Sequence, residues 1–107
     1  MPNLTFYISA AMPAEAHLAK LSDDCMQLCT SVLGALPQNV HVIYVAAHAG
    51  YGHPVFVDVR HRQELHRTHS VMQRFMQALQ GSIQRHIALQ ARIRCFAYSE
   101  FQIYALH

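Results

Sequence analysis

The sequence predicts an α+β domain, a two-layer sandwich in which two helices cover one face of a mixed sheet of four to five strands. Short runs rich in β-branched and aromatic residues alternate with two long stretches in which apolar residues recur at helical spacing. These segments follow one another as β-α-β-β-α-β, which makes two β-α-β units in one chain. The length of 107 residues suits one domain, and no linker or low-complexity run divides residues 1–107.

The first half of the chain holds one strand, one helix and a second strand. Residues 4–9 are apolar, aromatic and β-branched, which predicts a strand. Apolar residues at helical spacing predict a helix from residue 14 to about residue 36, and Pro37 helps to end it. Residues 40–46 form a second predicted strand, and the glycines and proline of residues 49–54 predict a loop.

The second half repeats this pattern. Residues 55–59 alternate in character and predict a third strand. A second helix is predicted from residue 63 to residue 89, with Gly81 expected to weaken or break it. Residues 93–98 predict a fourth strand, and residues 101–106 a short strand at the end of the chain.

The composition favours an oligomeric protein of the cytoplasm. Hydrophobic residues make up 52% of the chain and charged residues only 13%, against about 25% in ordinary globular proteins. A small domain with so few charges often hides surface in an oligomer. No apolar stretch approaches the roughly 20 residues that span a membrane, and the start of the chain lacks the pattern of a signal peptide.

The charges are divided unevenly along the chain. Residues 1–59 hold one lysine and four acidic residues, a net charge of −3, whereas residues 60–107 hold seven arginines and two glutamates, a net charge of +5. Because the arginines are not interleaved with aromatic residues on one strand, this asymmetry favours a small anionic ligand over nucleic acid.

The cysteines and histidines give weaker indications of function. Cys25 and Cys29 lie one helical turn apart on an apolar stripe, which predicts buried thiols and no disulfide. The nine histidines match no metal-binding signature, so we expect no metal site. His66 and His69 are expected on a solvated helix face. Asp58, in an apolar strand, is expected to pair with an arginine across an interface, with the orientation of a site as the alternative.

Pro2 directly precedes the first strand. If Met1 is removed, Pro2 becomes an N-terminal secondary amine, and an α-amino group has an ordinary pKa of about 7.7–8.0. Burial and nearby cations lower the pKa of such an amine towards neutrality, where a general base works best. The alternative is that Met-Pro is a common chain start without a chemical role.

Several of these features together resemble the tautomerase superfamily, which includes oxalocrotonate tautomerase, carboxymethyl-hydroxymuconate isomerase and macrophage migration inhibitory factor. The resemblance rests on the Met-Pro-x-Leu start, the strand and long helix, the strand Val40-His41-Val42-Ile43 and the loop Gly50-Tyr51-Gly52. The third strand and the helix after it are also similar to small uncharacterised bacterial members of that superfamily.

The resemblance implies an isomerase that needs no cofactor and assembles as a homotrimer. Pro2 would act as general base, taking a proton next to the carbonyl of a small anionic carbonyl acid and returning it elsewhere, so that an enol becomes a keto form or a double bond moves. A cation would hold the substrate carboxylate, and a donor would stabilise the enolate oxygen. No nucleic acid or membrane partner is implied.

The chain departs from the family pattern where family enzymes carry substrate-binding arginines. Met12 occupies the first of those positions and His41 the second, while Tyr51 keeps the aromatic residue of the loop. Arg94, in the fourth strand, is a candidate replacement cation, and Arg60, expected just past the third strand, is another.

Two functions therefore remain open. One is catalysis by Pro2, with a substrate pocket shaped by His41, Tyr51, Arg94 and Arg60. The other is a non-catalytic oligomeric binding protein that keeps the tautomerase fold without those family arginines. For His41, a neutral structural histidine fits the sequence as well as an active-site role. A histidine-based metal-binding module ranks below both functions.

Overall fold

The computed structural model describes residues 2–106. Met1, whose removal the chemistry of Pro2 requires, lies outside the described residues. The regular elements are β1 (Asn3–Ile8), α1 (Glu15–Ser31), β2 (His41–Ala46), β3 (Val55–Arg62), α2 (His69–Ile87) and β4 (Ala91–Tyr98), with short 3₁₀ turns at Pro37–Asn39 and Glu100–Gln102. Within residues 2–106, neither helix has the length and apolar character needed to cross a membrane.

The four strands form one mixed sheet in the order β2-β1-β3-β4. β1 runs parallel to β2, β3 runs parallel to β4, and the antiparallel pair β1–β3 joins the two halves. Each parallel pair is connected through its own helix, which gives the two predicted β-α-β units. The predicted α+β sandwich of a mixed sheet and two helices is confirmed.

The core lies between the two helices and one face of the sheet. Alternate residues of the central strands point to the helices and are fully buried, as expected for a sheet covered on one side. They pack against the apolar stripes of both helices; the buried members include Leu4, Phe6, Ile8, Val55, Val57, Val59, Leu21, Cys25, Cys29, Phe75, Leu79 and Ile83. The predicted burial of Cys25 and Cys29 is confirmed, and burial raises the pKa of the Cys29 thiol to about 11.

Both helices are shorter than the sequence predicted. α1 ends at Ser31 rather than near residue 36, because Gly34 adopts the left-handed conformation (φ 68°) and the Ala35 N–H closes the helix end on the Cys29 carbonyl at 2.9 Å. α2 begins at His69 rather than at residue 63, and the Thr68 side chain caps it by accepting a hydrogen bond from the Val71 N–H.

Residues 63–67 form a loop that is tied to the end of α1. The ring Nε2 of His66 lies 2.8 Å from the Leu33 carbonyl oxygen, and the Nε of Arg67 lies 3.0 Å from the same oxygen. His66 is exposed as expected, but its expected place on a helix face is wrong because it lies in this loop, whereas His69 is exposed at the first position of α2. The two contacts supply donors for a carbonyl that the helix leaves unpaired.

We expect Gly34→Ala to lower the free energy of unfolding by about 1–3 kcal/mol. The left-handed backbone disfavours a side chain, and a new Cβ would lie 3.0 Å from the His66 Nε2. Gly81→Ala is the matched control, because Gly81 lies inside α2 and a Cβ there meets nothing within 4 Å. In urea denaturation, the free energy of unfolding of this control should be about 0.5–1 kcal/mol higher than that of the wild type. Equal effects of the two substitutions would contradict the account.

The expectation that Gly81 weakens or breaks the second helix is wrong, because α2 continues through it. The predicted strand at residues 101–106 is also absent from the described sheet. Residues Glu100–Gln102 form a 3₁₀ turn instead, in which the Gln102 side chain accepts a hydrogen bond of 2.9 Å from the Ser99 N–H. Local hydrogen bonds therefore replace a strand ladder at this point.

The two helices are joined through the carboxylate of Asp24 on α1. Its Oδ2 accepts hydrogen bonds from the Ser82 hydroxyl at 2.9 Å and from the Arg85 guanidinium at 2.8 Å, and it lies 2.9 Å from the His86 Nε2. Burial raises the pKa of Asp24, but these three partners together hold it below its ordinary value of 3.8. The ionised form of Asp24 therefore stabilises the fold.

We expect Asp24→Asn to cost about 1–3 kcal/mol of folding free energy at pH 7. Because the folded-state pKa of Asp24 is lowered, its contribution is present above pH 3.8 and is lost as the pH falls through the folded value. The free energy of unfolding, measured by urea denaturation, should therefore fall more in the wild type than in Asp24→Asn as the pH is lowered from about 6 to the lowest pH at which both proteins are still folded. The exposed neighbour Asp23, changed to Asn, is the control; matching pH profiles for all three proteins would contradict this role.

Candidate functional site

Pro2 lies at the end of the sheet where β1 and β2 begin and where β3 and β4 end, which we call the Pro2 end. The side chain of Pro2 is less than 2% exposed, and its carbonyl oxygen accepts a hydrogen bond of 3.1 Å from the His41 N–H. That bond continues the parallel pairing of Asn3 with His41. Pro2 and His41 are thus brought together by the sheet itself.

Arg60 also lies at the Pro2 end, because β3 continues to Arg62 rather than ending at residue 59. Arg60 pairs with Asn3 across the antiparallel ladder, so its expected place just past the strand is corrected to a place inside it. Its Nε lies 3.2 Å from the Asp58 Oδ1, and the side chain is 59% exposed. The hydrogen bond and charge of Asp58 raise the pKa of the Arg60 guanidinium above its ordinary value. Asp58 thus pairs with an arginine as expected, but with one in its own strand rather than across an interface.

A cavity of about 260 Å³ opens beside these residues. It is lined by Asn3, Arg60, His61, Tyr98, Gln102, Ile103 and Tyr104. The strand ends supply the first four of these, and the segment after β4 folds over them to close one side. The cavity has the size for a small carbonyl acid, and Arg60 gives it a cation.

The structure adds three residues to the site that the sequence did not indicate. His61 follows Arg60 on β3 and is only 4% exposed, because it continues the buried series of alternate valines on that strand. Asn3 has a buried side-chain oxygen, Oδ1, with no hydrogen-bond partner among residues 2–106. Tyr98 pairs with Arg62 at the end of β4. The alternation of buried residues 55, 57 and 59 could have predicted that residue 61 is buried as well. Because histidine is polar, this continuation of the pattern was not recognised.

Arg94 lies farther from Pro2 than Arg60 does. It is the ladder partner of Asp58 on β4, and so belongs to the face of the sheet opposite the helices. We call this the open face, because no described helix or strand covers it. Its residues are Asn3, Thr5, Tyr7, His41, Ile43, Val45, Phe56, Asp58, Arg60, Arg62, Arg92, Arg94, Phe96 and Tyr98. Ile43 is 55% exposed there and Phe96 42%. The open face combines apolar side chains with four arginines.

Tyr51 lies at the other end of the sheet. Its side chain is fully exposed in the loop between β2 and β3, at the end where β1 finishes. The six residues of β1 separate this loop from Pro2 by roughly 17 Å at the usual rise per residue. Met12 is also at that end, in the turn that follows β1. Within one protomer the structure therefore places Pro2, His41 and Arg60 at the same end of the sheet, with Pro2 on the helix side and the other two on the open face, and places Tyr51 at the opposite end.

Within residues 2–106, no group of three or more histidine, cysteine or acidic side chains is placed to hold a metal ion. The 260 Å³ cavity instead offers a guanidinium, an amide, a phenol and an imidazole. The guanidinium, the amide and the phenol can each donate a hydrogen bond to oxygen, so this cavity suits a small organic anion.

Comparison with known proteins identifies the fold. No protein-family model and no curated protein sequence matches the chain. Among solved structures, it is similar to macrophage migration inhibitory factor of Toxoplasma gondii, at 16% identity over 96% of this chain and 95% of that one, with a TM-score of 0.77. It is also similar to N1, a member of the cis-3-chloroacrylic acid dehalogenase family, at 13% identity over 96% of this chain and 79% of the other, with a TM-score of 0.82.

A third similar structure is a fused 4-OT solved as an asymmetric trimer, with 14% identity over 97% of this chain and 91% of the other, and a TM-score of 0.74. These structures belong to the tautomerase superfamily. The chain therefore has the tautomerase fold that its sequence pattern resembles, and at these identities the likeness establishes the fold alone.

Proposed function

We propose that this protein is a cofactor-independent tautomerase of small anionic carbonyl acids, with Pro2 as general base once Met1 has been removed. The observation that carries the proposal is the position of Pro2, directly before a central strand whose first residue, Asn3, lines a cavity of about 260 Å³ together with Arg60 and His61. Burial disfavours the charged form of a secondary amine, which lowers its pKa and increases the unprotonated fraction near neutral pH. Such an amine can act as a base.

The residues of the cavity suit the steps of an isomerisation. Arg60 would bind the substrate carboxylate through its terminal nitrogens, since its Nε is held by Asp58. Pro2 would remove the proton next to the carbonyl group, and the C–H electron pair would move to form the enolate. The Tyr98 hydroxyl and the Asn3 amide are the donors available for the enolate oxygen. Pro2 would then return the proton at another carbon or at oxygen.

We propose that the protein acts as a homotrimer in the cytoplasm. The open face supports this assembly, because a chain with few charges leaves Tyr7 41% exposed, Ile43 55% and Phe96 42% on a sheet surface that no described helix covers. In such an assembly Tyr51, remote from Pro2 in its own protomer, would reach the site of a neighbour. Arg94 and His41 on the open face would line the contact between subunits.

The test is ketonisation of the enol forms of phenylpyruvate and hydroxymuconate by protein whose Met1 is absent by intact mass. Turnover above the rate in buffer supports the proposal. Light scattering of the same sample should give the mass of three chains. A processed, trimeric protein that is inert on both enols would favour the second function.

That second function is a non-catalytic oligomeric binding protein. It is favoured by one observation, the burial of Pro2 to less than 2% exposure, since a general base must be reached by its substrate. The absence of arginines at Met12 and His41 fits it as well. A binding protein would bind carboxylic acids in the 260 Å³ cavity with an affinity that does not depend on the state of its N-terminus.

A further inference from the structure

His61 and Pro2 occupy neighbouring positions on the same side of the sheet. The antiparallel ladder pairs Asn3 with Arg60, so the next step of the same register sets Pro2 against His61. Both are buried, at less than 2% and at 4% exposure, on the side of the strands that faces the helices. Residues directly opposite one another in an antiparallel pair have Cβ atoms about 4.5–5.5 Å apart. The imidazole is therefore a close neighbour of the prolyl ring.

The hydrogen bond of His61 determines its tautomer. Its Nδ1 lies 3.1 Å from the carbonyl oxygen of Arg62. A carbonyl oxygen only accepts, so Nδ1 carries the hydrogen and donates it. In the neutral ring, Nε2 then carries a lone pair, for which the described residues provide no hydrogen-bond donor.

The surroundings of His61 keep the ring neutral. Burial lowers the pKa of His61 below its ordinary 6.5, and nearby Arg67 lowers it further, although the hydrogen bond to the Arg62 carbonyl partly opposes this. The titratable groups that line the cavities beside it are Arg67 in the loop before α2, Arg94, Cys95 and Tyr98 on β4, Arg60 on β3, and Tyr104 after β4. The charged groups among them are arginines, which disfavour a second cation.

We propose that His61 is a positioning residue for Pro2, whose Nε2 accepts a hydrogen bond from the prolyl nitrogen. The inference rests on the proposed function of Pro2. When Pro2 takes a proton from substrate carbon, the C–H bond breaks, an N–H bond forms, and the nitrogen carries two hydrogens. One would be donated to His61, which directs the other at the substrate, where it is returned. His61 itself neither gains nor loses a proton.

The test follows the titration of the Pro2 nitrogen by NMR in protein labelled with ¹⁵N-proline and free of Met1. An acceptor for the ammonium form raises the pKa of the amine, so removing it should lower that pKa. We expect His61→Phe and His61→Leu to lower the pKa of Pro2 by about one unit, with a fall in kcat of about tenfold and little change in KM. His61→Gln, which retains an acceptor oxygen, should lie between these variants and the wild type.

His69→Leu, at the exposed start of α2, is the control, and the pKa of its Pro2 nitrogen should equal that of the wild type. An unchanged pKa of Pro2 in folded His61→Phe, His61→Leu and His61→Gln would overturn the positioning role and leave Pro2 as the base. If the apolar variants do not fold, His61→Gln carries the test alone: a Pro2 pKa lower than that of the wild type by less than one unit supports the acceptor role, and a Pro2 pKa and kcat equal to those of the wild type overturn it. A Pro2 nitrogen that does not titrate in the wild type would overturn both the positioning role and the proposed function.

Discussion

Pro2→Ala is expected to reduce kcat/KM for the ketonisation of phenylpyruvate enol by about 10²–10⁴-fold, the usual contribution of a positioned general base. Alanine at this position is small enough for Met1 removal to continue, so the variant still presents an amine. That amine lacks the ring that fixes the nitrogen directly before β1, whose first residue, Asn3, lines the 260 Å³ cavity. The loss should therefore appear in kcat, because the base is misplaced while the carboxylate site of Arg60 is retained.

The control for this experiment is Pro13→Ala. Pro13 lies in the turn between β1 and α1, at the end of the sheet away from Pro2. Its substitution should leave the kinetics of the wild type unchanged. Equal turnover by Pro2→Ala and Pro13→Ala would show that the N-terminal proline has no part in the chemistry.

Arg60→Met is expected to raise KM for phenylpyruvate by about 10–100-fold, with a smaller effect on kcat. Methionine keeps an unbranched side chain of similar length but removes the guanidinium that would bind the carboxylate. Asp58 holds the Nε of Arg60 at 3.2 Å, so the guanidinium is oriented before substrate arrives, which reduces the entropy lost on binding. The loss should be largest for dicarboxylates such as hydroxymuconate.

Arg74→Met is the matched control. Arg74 is exposed on α2, so this substitution removes the same charge from another surface of the protein. If both variants bind substrate equally well, Arg60 is not the carboxylate site. If substrate affinity falls only in Arg94→Met, the carboxylate site is Arg94 on the open face instead.

The fold was predictable because its strands and helices carry strong periodic patterns. Alternate burial in β1 and the apolar stripes of both helices follow directly from the sequence. The helix ends were not predictable to the residue, since they depend on the left-handed Gly34 and on the Leu33 carbonyl just after α1, which is contacted by His66 and Arg67 in a distant loop. No local pattern indicates such contacts.

The site was predictable only in part. Pro2 and Arg60 are brought together at one end of the sheet, and His41 joins them through the parallel pairing of β1 and β2. His61 was missed because a polar residue at the end of an apolar alternation was interpreted as the start of a loop. Tyr51 lies at the opposite end of the strands, and its placement in the site depends on assembly with a second chain, which one sequence does not specify.

The central claim is that an N-terminal amine of Pro2 carries out proton transfer. The most direct measurement separates the processed and the Met1-retaining forms of the same preparation by mass and compares their turnover of phenylpyruvate enol. In the retaining form the Pro2 nitrogen belongs to an amide and has no basic lone pair. We predict that turnover is confined to the processed form; equal turnover by the two forms would contradict the account.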